Sequence, residues 1–311
     1  MMMNAENILS VESLLAGARA NPGRVVVVCA NNEEAMEAVD LALKDGVVSG
    51  GTFLGNRAAI EEVAKKIGIP LSKFEIIETS DDTVAARTAA QMIAQGKGDF
   101  LLKGQVDTKV YLKAVLDKEF GLVPAGNTLT HVAVLHLPSY HKFLISSDAA
   151  ILIEPSVDDK EKMVRNAVQF ARDLGIARPK VSMQAAVEKV NPKMSSTVHA
   201  EEIVKRAKAG AFGDAMVEGP HDIYIATSKE AAAVKKVTGD VVGDADVVCF
   251  HDINAANVFY KSIQRFVPGA WAAGLVAGAK VPILLPSRAD EAQTKRMSIL
   301  VAAFIGARKT K

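Results

Sequence analysis

At 311 residues the chain is long enough for two domains, because single cores stop growing at about 250 to 300 residues. Its 37 Lys and Arg stand against 36 Asp and Glu, a balance that supplies no field for nucleic acid or an anionic membrane surface and directs the search to a small-molecule partner. No stretch of about 18 apolar residues occurs, and the first residues, MMMNAENILSVESLLAG, have no basic n-region, so a cytoplasmic protein without signal peptide or membrane span is expected.

In chain order, an amphipathic helix is expected over residues 8–19 and a continuous apolar strand over 25–30, followed by a helix that opens on NNEE and closes on Gly46. The strand–helix unit then recurs, with strands at 47–54, 74–78 and 100–103 and helices at 57–67, 82–95 and 108–118. Such alternation is the mark of a mostly parallel sheet covered by helices. Two apolar runs, 131–137 and 142–153, are parted only by PSYH, too little for a crossover helix, so they should pair antiparallel or pass between domains. Beyond them come helix 159–174, strand 180–185, helix 197–209 and strand 214–218, then helix 228–237, strand 245–250 and helix 254–266. A last strand and helix lie in VPILLPSRADEAQTKR. The fold class is therefore α/β, with a first domain of residues 1–135 plus the C-terminal helix 288–311 and a second of 136–287.

Cys29 and Cys249 each sit inside an apolar strand with no basic neighbour, the setting of a small buried hydrophobe and not of a nucleophile. His131, His136 and His141 are five apart, which suits neither one helix face nor one strand face, so no metal site is expected.

Three strand-end turns carry polar residues suited to an anion. In DFLLKGQVDT, Lys103 offers a charge, Gly104 lets backbone come close, and Thr108 opens a helix, although the same pattern is an ordinary strand-to-helix turn. In FHDINAANVFYK, Asn254, Asn257 and Lys261 fall at i, i+3 and i+7, so one helix face points all three the same way; Asn254 also reads as an N-cap. In VPILLPSRAD, Ser287, Arg288 and Asp290 open a helix at a strand's carboxyl end. Ser287 with Asp290 is equally a capping pattern needing no ligand, while Arg288 has the planar fork that reads phosphate oxygens in pairs. Neither GxxxxGK[ST] nor GxGxxG occurs, which leaves inorganic phosphate or a smaller phosphorylated metabolite as the ligand.

The stretches DFLLKGQVDTKVYLKAVLDKEFGL, SDAAILIEPSVDDKEKMVRNAVQFARDLGI, PKVSMQAAVEKVNPKMSSTVHAEEI, INAANVFYK and VPILLPSRAD resemble the phosphate acetyl/butyryltransferase family, its butyryl-type branch above all, from about residue 25 to 305. The resemblance implies two α/β/α domains with a cleft between them, of the isocitrate/isopropylmalate dehydrogenase-like kind, in a homodimer. It implies reversible transfer of a short or branched acyl group between coenzyme A and inorganic phosphate, giving acyl phosphate and CoA, by direct attack of the thiol. CoA is then a substrate, and no prosthetic group is expected. Ser287 and Arg288 match the family's Ser-Arg pair, with roles in orienting substrate and stabilising charge on phosphate and carbonyl oxygen. The acetyl-type branch has an Asp seven residues after its Ser, where Thr294 stands here; Asp290, one turn earlier on the same helical face, matches the butyryl-type branch. His251 stands where the family has Pro, Ala256 where it has Gly, and Tyr224 where it has Asp. Two other readings compete. One is a catalytically silent CoA- or acyl-phosphate-binding protein; the other is a metal- and nicotinamide-dependent dehydrogenase, for which Asp148, Asp158 and Asp159 are the available carboxylates.

Overall fold

The structure, a computed structural model, describes residues 9–286 and 292–309. The chain divides into two compact units, one of Thr128–Ala272 and one of Ser10–Asn127 with the segment from Ala273 on.

The unit that starts at Ser10 opens with α1 (Val11–Ala20), held by a reciprocal cap between Ser10 and Ser13. There follow β1 (Gly23–Val28), α2 (Glu33–Lys44), β2 (Val48–Gly55), α3 (Arg57–Ile67), β3 (Phe74–Glu78), α4 (Asp82–Ala94), β4 (Phe100–Lys103) and α5 (Thr108–Val115). Helix α3 shows why the sequence signals were readable. Asn56 accepts the N–H of Ala59 at its start, and Gly68 takes the left-handed conformation at its end, with φ +80°. The run Val25–Val28 is fully buried because helices cover the sheet on both faces.

The second unit contains β5 (Thr130–His136), β6 (Leu144–Ser147), α6 (Val157–Asp173), β7 (Lys180–Gln184), α7 (Ser195–Lys208), β8 (Met216–His221), α8 (Ile223–Thr227), α9 (Lys229–Lys235), β9 (Val247–Cys249) and α10 (Ile253–Phe266). Its strand order is β5-β6-β9-β7-β8, with the β5–β6 pair antiparallel and the others parallel. The short PSYH link thus makes an antiparallel pair. Strand β6 ends earlier than its apolar run because Asp148 turns the chain. Its carboxylate accepts the N–H groups of His131, Ala150 and Ile151 at 2.9 Å each and of Leu152 at 3.3 Å.

The chain then forms β10 (Trp271–Ala277), β11 (Ile283–Leu284) and α11 (Ala292–Lys309). In the first-described unit the order is β3-β2-β1-β4-β11-β10. Residues 273–286, placed by sequence in the domain of residues 136–287, fall in the unit that begins at Ser10; β10 and β11 pair antiparallel with each other, and β11 lies parallel to β4 with Ile283 beside Leu101 and Leu284 beside Leu102. The units meet in sequence at 127/128 and 272/273.

Candidate functional site

In the unit that begins at Ser10, strands β1, β4 and β11 run parallel and end on the same edge, where an open α/β sheet presents ligand sites. Tyr111 fastens two of these ends together. Its buried hydroxyl lies 3.2 Å from the carbonyl oxygen of Leu101 and 3.1 Å from that of Leu284, and burial pushes its phenol well above the ordinary range.

At this edge a cavity of about 30 Å³, room for about one water, is lined by Asn32, Glu34, Lys103, Gly104, Pro286, Lys295 and Ser298. Lys295 lies on α11 and is only 8% exposed. The carboxamide oxygen of Asn32 is buried without a hydrogen-bond partner among the described residues. An ammonium removed from water costs several kcal/mol unless an anion meets it, and the lining sets two lysines, Lys103 and Lys295, against the single carboxylate of Glu34, an excess that favours an anion. The hydroxyl of Ser298 donates to the carbonyl of Thr294 at 2.8 Å and accepts the N–H of Gly274 at 3.0 Å, which fixes this turn of α11 against β10.

Of the sequence-expected residues, Lys103 lines this cavity, its ammonium 3.3 Å from the carbonyl of Gly104. Gly104 is needed for a reason other than the expected approach to an anion. A Cβ there would lie 2.3 Å from the carbonyl oxygen of Cys29 and 2.7 Å from that of Val28, so the exits of β1 and β4 are pressed together. Thr108 is exposed at the start of α5, whose N-terminus is capped by the carboxylate of Asp107 through the N–H groups of Lys109 and Val110. Ser287, Arg288 and Asp290 lie outside the described residues, between two residues that line the cavity, Pro286 and Lys295. Thr294 is buried.

In the other unit, the turn from β9 into α10 carries the second group of candidates. The cap of α10 is Asp252, which accepts the N–H of Ala255 at 3.0 Å; Asn254, the sequence-read cap, sits inside the helix and is exposed. Asn257 donates its amide to the carbonyl of Ala149 at 2.9 Å and so ties α10 to the turn built by Asp148. Lys261 is exposed. Ala256 faces the core with Ala133, Leu144 and Val248, while Tyr224 is 67% exposed.

The three carboxylates a metal-dependent dehydrogenase would need do separate work: Asp148 holds its turn, Asp158 pairs with Arg206 at 2.7 Å, and Asp159 closes the cap of α6 with Ser156. Both cysteines are buried, and burial pushes each thiol up to about 12, in Cys29 with help from the Asp82 carboxylate.

Sequence reading missed Lys295, Asn32 and Ser298. Lys295 carries a usable signal, since Ile299 and Ala302 continue its face at i+4 and i+7 and set it on a buried stripe of the helix.

Residues 82–303 match the family model described as phosphate acetyl/butaryl transferase. The phosphate butyryltransferase of Clostridium beijerinckii is 38% identical over 285 residues, covering 92% of this chain and 93% of that one. The phosphate acetyltransferase of Thermotoga maritima is 34% identical, covering 94% and 98%. Among solved structures, a branched-chain phosphotransacylase from Enterococcus faecalis V583 superposes with a TM-score of 0.80 at 31% identity, covering 91% of this chain and 98% of that one.

Proposed function

We propose that this chain, which belongs to the phosphate acetyl/butyryltransferase family, carries out phosphate acyl transfer at the edge where β1, β4 and β11 end. Its reaction is acyl-CoA plus phosphate giving acyl phosphate plus CoA, with a short or branched acyl group. The observation that supports this place is the burial of Lys295 beside Lys103 on a cavity bounded by Pro286, one residue before Ser287 and Arg288.

Lys103 and Lys295 supply charge to the phosphate, and Arg288 grips its oxygens in pairs and polarises the carbonyl. Ser287 orients the substrate. In the direction of thioester synthesis the CoA thiolate attacks the carbonyl carbon of the acyl phosphate, the C–O bond to phosphate breaks, and phosphate leaves with the bonding pair. A thiol of pKa near 8.5 is a few per cent thiolate at pH 7, so forming the anion costs only about 2 kcal/mol. A positioned base adds roughly 10²- to 10⁴-fold, whereas proximity and fixed charge supply more. Thr294 in place of a carboxylate is therefore compatible with turnover, with Asp290 the candidate base. Asn254, Asn257 and Lys261 are candidate substrate contacts on α10, and the working form is a cytoplasmic homodimer.

CoA release from acetyl-, propionyl-, butyryl- and isobutyryl-CoA in phosphate buffer tests this reading. Turnover is expected with at least one of the four. A folded protein that binds CoA and releases none from any of the four overturns it in favour of a silent binding protein.

A further inference from the structure

In the unit of residues 128–272, four polar side chains from three elements converge without belonging to the site above. Lys160 of α6 is 2% exposed, yet no carboxylate among the described residues forms an ion pair with it. Its ammonium donates to the carbonyl of Pro155 at 2.6 Å and lies 3.1 Å from Nδ1 of His199 on α7. The rings of His199 and His251 are 5.1 Å apart, and Nε2 of His251 lies 3.1 Å from the hydroxyl of Ser195. Nδ1 of His251 is buried with no partner among the described residues. The acidic groups that act on Lys160, Asp252 and Asp159, are engaged at helix caps, Asp252 at that of α10 and Asp159 at that of α6.

We propose that Lys160, Ser195, His199 and His251 form a binding site for a phosphate group, either inorganic phosphate or the terminal phosphate of a small metabolite. The chemistry favours an oxyanion over a cation. Lys160 places a positive charge beside His199, and by donating to Nδ1 of that ring it leaves the ring's proton on Nε2, as a donor. Burial and the Lys160 charge hold both imidazoles below their ordinary titration, His251 down to about 4, so they are neutral near pH 7. A doubly charged anion reverses this for His251, whose charged form it stabilises, while His199 stays neutral because its Nδ1 accepts from Lys160. A phosphate monoester loses its second proton near pH 6, so near pH 7 it meets the pocket as a dianion. Ser195 opens α7, whose preceding residue, Met194, gives no side-chain cap, so the first-turn N–H groups add to the same attraction. This inference stands on residues of the 128–272 unit and does not rest on the acyl-transfer reading.

The test is a histidine-ring NMR titration of the full chain with inorganic phosphate and, separately, with phenyl phosphate, after assigning His199 and His251 from His199→Asn and His251→Asn. It is run on the wild type and on Lys295→Met, which removes a charge from the other phosphate-binding region. In both proteins phosphate should shift the two rings along one saturating curve and raise the titration midpoint of His251 by about one pH unit or more. Ser195→Ala, an exposed substitution that leaves the fold intact, should weaken the effect at least about threefold, and Lys160→Met at least about tenfold. Tighter binding of phenyl phosphate assigns the site to a phosphorylated metabolite, and tighter binding of inorganic phosphate assigns it to the free ion. If the two rings stay still while the other histidines report a folded protein, or if Ser195→Ala titrates as the wild type does, the proposal is overturned.

Discussion

Arg296 and Asp45 meet in a two-bond fork, with Nε and an Nη of the guanidinium each 2.7 Å from one carboxylate oxygen. The pair joins α11, one residue after Lys295, to the end of α2, the helix that starts beside Asn32. A lysine cannot reproduce the fork. Arg296→Lys should cost about 1 kcal/mol, a figure reduced for the partial exposure of the pair, and urea unfolding measures it. An unchanged midpoint would show that the fork contributes nothing.

Lys295→Met should separate stability from binding. Among the described residues no carboxylate forms an ion pair with Lys295, and replacing a buried lysine of that kind with an apolar chain of similar size is neutral or stabilising. The same change removes an attraction for phosphate, so the KM for phosphate should rise about tenfold or more while the thermal midpoint holds or increases. Steady-state kinetics at varied phosphate, with a melting curve, reads both.

Gly104→Ala should destabilise by about 2 kcal/mol or more, because the added carbon meets two backbone oxygens that cannot rotate away. Asp148→Ala should cost about 3 kcal/mol or more through the N–H groups it strands in a buried turn. Denaturant midpoints check both. Asp148→Asn, which keeps one acceptor oxygen, should lose less than Asp148→Ala.

His251 gives a pH dependence with a definite sign. Its folded pKa, about 4, lies below the unfolded value near 6.5, so between these limits the unfolded chain binds more protons. Stability therefore falls as pH drops from 6.5 towards 4. His251→Asn should flatten that part of the curve relative to the wild type, measured by urea midpoints at several pH values in chloride buffer. Equal slopes in the two proteins would contradict the assigned environment.

Much of the fold was legible because its signals are local. The sequence bounds of α3, β3 and β4 match the structure to the residue, since caps, glycines and apolar runs mark them. Strand β10 was not, because WAAGLVA is mostly Ala and Gly, residues that fit a sheet only through the partners they meet. At the site, Lys103 was found by its place after a strand. Lys295 was hidden inside a helix, and Asn257 proved to bond a backbone carbonyl. The Lys160 group draws on positions 160, 195, 199 and 251, and proximity of that kind is written in tertiary packing alone.

The most direct measurement of the central claim is the initial rate of thioester formation from butyryl phosphate and CoA, in the wild type and in Arg288→Ala. The account predicts a rate that saturates in both substrates and falls by about 10²-fold or more when the guanidinium is removed. No thioester from the wild type, or an equal rate in Arg288→Ala, would contradict it.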